Sequence, residues 1–171
     1  PAAGRKVMLA AHMDEIGVVV THVDQKGFLR FGNVGGVRPM PLHGSRVRFA
    51  DGTVGVIGTE KLDDPSRVPG LEKFYIDVGA DEGHPSRVKV GDIACFTRPF
   101  EEVGGRWVAK AMDDRIGCAI LVRVLQQLAG SPHEVFFVFT VQEEVGLRGA
   151  TVSAFGVEPD IALAVDITVS G

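Results

Sequence analysis

From Gly17 to Arg106 the sequence carries no helical period of useful length. Short β-branched runs (GVVVTHV, SRVRFA, TVGVIG, FYIDVG, DIACFT) recur at intervals of 8–20 residues, separated by Gly, Pro, Asp and Asn. DQKG, FADGT and VGG are turn signals between them. Glycine supplies 22 of 171 residues, roughly twice the usual 7% or so, as many tight corners require. A block of this kind reads as an all-β module.

The text on either side follows another grammar. Residues 5–11 (RKVMLAA) read as a short buried strand. Residues 114–129 place Ile116, Ala119, Ile120, Val124 and Leu128 near helical spacing, and Gly130 and Pro132 then stop the helix. EVFFVFTV is a continuous apolar strand, the kind buried on both faces of a parallel sheet. A short helix is expected over 147–155, and DIALAVD is another buried strand. Strands alternating with helices predict an α/β fold, a doubly wound and mostly parallel sheet. The expected organisation is an α/β domain made of residues 1–16 and 107–171, interrupted by a β-barrel-like insertion over 17–106. The insertion must leave and return at neighbouring points.

The formal net charge of −4, with no basic run, excludes nucleic acid and anionic membrane surfaces as natural partners. No apolar stretch approaches the roughly 20 residues of a membrane-spanning helix. Cys95 and Cys118 have no metal or redox spacing, which favours a reduced, cytoplasmic chain.

Carboxylates recur where the α/β strands end. LAAHMD brings His12 and Asp14, AKAMDD brings Asp113 and Asp114 to a helix start, FTVQEE brings Glu143 and Glu144, and LAVD brings Asp166. Taken singly, each has an ordinary explanation. Paired aspartates before a helix serve as cap and dipole partner, and two glutamates after a strand are usually a solvated turn. Taken together, they lie where open α/β sheets bind ligands, outside the carboxyl ends of the strands. Such a crowd of negative charge repels itself unless a cation sits within it. One histidine with several carboxylates suits Zn²⁺, Co²⁺ or Mn²⁺. His22, His43, His84 and His133 stand in turn-rich or polar text and read as surface or structural residues.

AHMDEIG, KAMDDRIGCA, QEEVGLRGA and AVDIT occur in this order, with RVKVGD inside the β block. Together these strings resemble the tetrahedral (TET) aminopeptidases. That family of dinuclear metallopeptidases includes glutamyl and deblocking aminopeptidases and proteins labelled cellulase M. The resemblance spans nearly the whole chain. It implies a zinc-exopeptidase-like core, here incomplete, and a peptide substrate cut at its amino terminus. It implies two divalent ions sharing Asp113, with His12 and Asp166 on the first and Glu144 on the second. Glu143 would be the general base, and Asp14 would support catalysis by holding His12 through its far ring nitrogen. The Asp113–Asp114 peptide would be cis. The resemblance also implies a homo-oligomer, dimers building to a dodecamer, with the β insertion carrying dimer contacts.

The family's second metal takes a further histidine from a strand beyond Asp166, and this sequence stops at Gly171 without one. The residues named are therefore expected to be a partial set, and the chain alone a poor catalyst. Two other readings compete. A non-catalytic assembly or binding fragment would need no metal. An endoglucanase would need two carboxyl groups about 5–9.5 Å apart and would leave His12 without a task.

Overall fold

The computed structural model describes residues 4–62, 64, 66–81 and 83–168. Along the chain, β1 (Lys6–His12) comes first. The next six strands are β2 (Gly17–Val23), β3 (Leu29–Val34), β4 (Arg46–Phe49), β5 (Val54–Thr59), β6 (Phe74–Asp77) and β7 (Ile93–Phe96). A hairpin of β8 (Glu101–Val103) and β9 (Arg106–Val108) follows, then α1 (Met112–Gln127), β10 (Glu134–Thr140), α2 (Arg148–Val157) and β11 (Ile161–Ala164). Contacts divide the chain into two units: residues up to Glu15 with those from Ala111 onward, and Ile16–Lys110. Trp107, the expected boundary, lies in β9 of the second unit, paired with Glu102.

In the second unit six strands close into a barrel of order β2-β3-β6-β5-β4-β7, every pair antiparallel. Closure leaves no free edge for another chain to pair with. The pattern of side chains follows the strand period of two. In β4, Val47 and Phe49 are buried while Arg46 and Arg48 are exposed. Val18, Leu29, Ile57 and Ile76 fill the centre. Gly55 faces inward too, and a Cβ there would run into the Ile76 side chain. That position needs glycine because the core has no room, not because the backbone is unusual.

The first unit is built on a three-stranded sheet of order β10-β1-β11, all parallel. α1 packs on β1 and α2 on β10. Register sets the geometry of the strand ends. His12 lies level with Thr140, and Ala10 with Ala164. The bonds continue past the strands, with Met13 N–H on Thr140 O and Val165 N–H on Ala10 O, both at 2.8 Å. Asp14, the Glu143–Glu144 pair and Asp166 therefore leave the sheet at the same end as His12.

Two expectations about packing fail. β10 is only half-buried until Thr140, and β11 is exposed throughout. Each is an outer strand of the three, so each lacks a neighbour on one side among the described residues. On α1 the buried residues are Asp114, Gly117 and Leu121, while Ile120, Val124 and, just past its end, Leu128 are exposed. The helix turns one large apolar side chain, Leu121, inward together with a carboxylate and a glycine. A Cβ on Gly117 would collide with the Asp114 carboxylate.

Candidate metal centre

His12 ends the central strand and is almost fully buried, at 3% exposure. Its ring is held from both sides. Nδ1 lies 3.1 Å from the main-chain oxygen of Asp14, and a carbonyl can only accept, so Nδ1 carries the proton. The Asp14 carboxylate is further away, at 3.5 Å. Nε2 then faces Asp113 Oδ1 at 3.1 Å and Glu143 Oε2 at 3.7 Å. A neutral imidazole would point a lone pair at two anions. The arrangement is stable only with a cation there, either a second proton or a metal ion. Burial disfavours a charged ring, but the hydrogen bond to Asp113 and the charges of Glu143, Asp14 and Asp113 outweigh it, so the His12 pKa is raised.

Asp113 is half exposed, at 52%, and presents its oxygen across from His12. Its peptide bond to Asp114 is cis. Asp113 and Asp114 lie outside helical φ/ψ, so the regular helix runs from Arg115. Asp114 turns inward and is fully buried. Its Oδ2 accepts the His12 main-chain N–H and its Oδ1 the Gly117 N–H, each at 3.2 Å. Burial raises its pKa and the nearby charge of Asp166 adds to that, against the two N–H donors. Cys118 Sγ donates to His12 O at 3.2 Å, and burial pushes its thiol pKa up. Arg115 reaches back to the loop after β1, with Nε on Met13 O at 3.1 Å and a guanidinium nitrogen on Glu15 at 3.3 Å.

The two glutamates follow a tight turn. β10 ends at Thr140, whose hydroxyl donates to Ala11 O. Gln142 takes a left-handed φ of 61°, uncommon for a residue with a side chain. Glu143 O accepts from Gly146 and Leu147, Gln142 O from Arg148, and Val141 O from Gly149. Gly146 has a φ of 115°, and a Cβ on Gly149 would strike Val141 O. The main-chain N–H groups of Glu143 and Glu144 point to the other side. Both end on Asp14, one on each carboxylate oxygen, at 3.2 Å.

Ligand atoms of His12, Asp113 and Glu144 lie within 4.8 Å of one another, as do those of His12, Asp114 and Asp166. Asp166 thus shares its group with Asp114, where the family resemblance implied a site shared with Asp113. Both Asp114 oxygens are already taken by N–H groups. The 3.1 Å between His12 Nε2 and Asp113 Oδ1 suits one ion, since two donors about 2.0–2.2 Å from it stand roughly 3–3.5 Å apart. The donor set fits a borderline divalent cation. The sequence marked Asp114 only as half of an aspartate pair at a helix start, and Arg115 not at all.

The histidine and carboxylates at the ends of this parallel sheet form groups that could hold a divalent metal ion. The M42 glutamyl aminopeptidase family matches residues 1–171, and the chain belongs to that peptidase family. A putative aminopeptidase of Acetivibrio thermocellus is 50% identical over 171 residues, covering 98% of this chain and 52% of that protein. The solved aminopeptidase APDkam598 of Desulfurococcus kamchatkensis superposes with a TM-score of 0.88 at 42% identity, covering 100% of this chain and 50% of that one. The Pyrococcus horikoshii TET1 peptidase gives 0.81 at 36% identity, covering 95% and 53%. The chain therefore spans about half the length of the relatives it matches. No helix among the described residues is long and apolar enough to cross a membrane.

Proposed function

We propose that this chain supplies the base and most of the metal ligands of a dinuclear metallo-aminopeptidase site that works in the full-length protein. The observation that carries the reading is the His12 ring. Its Nδ1 is committed to a carbonyl and its Nε2 is turned to Asp113. His12, Asp113, Glu144 and Asp166 would hold the ions, which supply a water of lowered pKa and a polarised carbonyl when bound.

Glu143 is the general base in this reading. Its carboxylate is partly exposed at 27%, and its Oε2 lies near the metal-facing nitrogen of His12. It would accept a proton from the attacking water and return it to the leaving amine, a role typically worth about 10²–10⁴ in rate. The substrate would be a peptide cut at its amino terminus, as the names of the relatives suggest. The Pyrococcus horikoshii TET1 peptidase can assemble into a tetrahedron or a large octahedral shell, which supports a homo-oligomer here, with the barrel carrying subunit contacts. Neither the endoglucanase nor the metal-free alternative uses the His12 arrangement.

Elemental analysis of the dialysed full-length protein tests the reading. Two divalent ions per chain are expected, and His12→Ala should lose metal together with peptide hydrolysis. A protein that hydrolyses peptides with no bound metal would overturn it.

A further inference from the structure

We infer that Asp14 is the positioning residue of the glutamate pair: by accepting the consecutive main-chain N–H groups of Glu143 and Glu144, its carboxylate fixes the turn that brings both side chains to one site. The consequence for metal binding rests on the metallopeptidase reading above; the clamp itself does not.

Neighbouring residues on an extended strand point to opposite faces. Glu143 and Glu144 escape that rule only because the chain turns after Thr140, with Gln142 left-handed. The carbonyls of Val141, Gln142 and Glu143 are all satisfied from the far side of the turn, by Gly149, Arg148, and the pair Gly146 and Leu147. What remains on the near side is two successive N–H groups. Successive N–H groups form a concave site for an anion, and here the anion is Asp14, one oxygen to each.

The His12 contacts sharpen the assignment. The ring's shorter bond is to the main-chain oxygen of Asp14, at 3.1 Å, with the carboxylate at 3.5 Å. Any residue at position 14 supplies that carbonyl. Only a carboxylate supplies two acceptors to two amides. Asp14 thereby ties the loop after the central strand to the turn after its neighbour, and sets base and ligand together. The backbone of its own loop is held in turn by Arg115.

The test uses the full-length protein with Asp14→Asn, which keeps size but presents an NH₂ to one of the two amides. In the metal-free protein, hydrogen exchange at the Glu143 and Glu144 amides should quicken by about tenfold or more, because a charge-assisted acceptor is lost. Exchange in β1 and α1 should hold. Metal affinity, read by chelator competition, should fall. In a Glu144→Gln background the same change should add little, because the ligand it positions is already weakened. Asp14→Glu keeps the charge but shifts the oxygens by one methylene; it gives the same readouts if the first variant does not fold. Unchanged exchange at those two amides overturns the inference. So does a loss of metal affinity that adds fully in the Glu144→Gln background, the result expected if Asp14 acts through His12 alone. If the wild-type protein binds no metal, the metallopeptidase reading falls, yet faster exchange at the two amides still supports the clamp.

Discussion

The Asp114 carboxylate accepts the main-chain N–H of His12 at 3.2 Å, although 102 positions separate the two residues. The whole barrel is inserted between them. With its other oxygen on Gly117, Asp114 fastens the start of α1 to the end of β1, and so fixes Asp113 opposite His12. Asp114→Ala would leave two buried N–H groups without an acceptor. A stability loss of about 1.5–3 kcal/mol is expected, the scale for hydrogen bonds to charged groups, read as a lowered Tm. Asp114→Asn keeps one acceptor and should lose less. Equal Tm values for wild type and Asp114→Ala would contradict this tie.

The raised pKa of His12 sets a pH dependence. In the metal-free protein its folded pKa exceeds the ordinary 6.5. The stabilisation from the charged ring is then fully present below about pH 6.5 and is lost as the pH rises through the raised value. A bound metal needs Nε2 unprotonated, so its affinity falls as the pH drops through the same value. The rise in Tm on adding Zn²⁺ should therefore widen as the pH is raised from about 6.5 through that raised value. A constant rise across that range would show that no titrating ligand is involved.

The barrel is closed and has its own core, so the proposal that it carries the subunit contacts can be tested apart from the metal site. Deleting residues 16–110 from the full-length protein should leave a monomer in light scattering. An unchanged oligomer would place the contacts elsewhere.

The gathering of His12, Glu143, Glu144 and Asp166 was legible because each follows an apolar run, and the sheet register brings those runs out at the same end. The barrel was legible from its missing helical period. The α1 interface was not. Its periodic apolar residues marked the helix without saying which face is buried, and the helix turns Asp114, Gly117 and Leu121 inward, Asp114 for its hydrogen bonds. The Asp14 clamp was hidden for a different reason. Its partners are main-chain N–H groups, which every residue but proline carries, so no sequence pattern marks them.

The two glutamates give the most direct test, in the full-length protein. Glu143→Gln keeps size but removes the base, so metal content should stay near wild type while the rate falls at least about 10²-fold. Glu144→Gln weakens a ligand, so it should lose one metal ion, and added metal should restore part of the rate. Elemental analysis after dialysis, paired with peptide hydrolysis, distinguishes the two. Metal lost from Glu143→Gln and kept by Glu144→Gln would exchange their roles, and no change in either variant would contradict the metallo-aminopeptidase account.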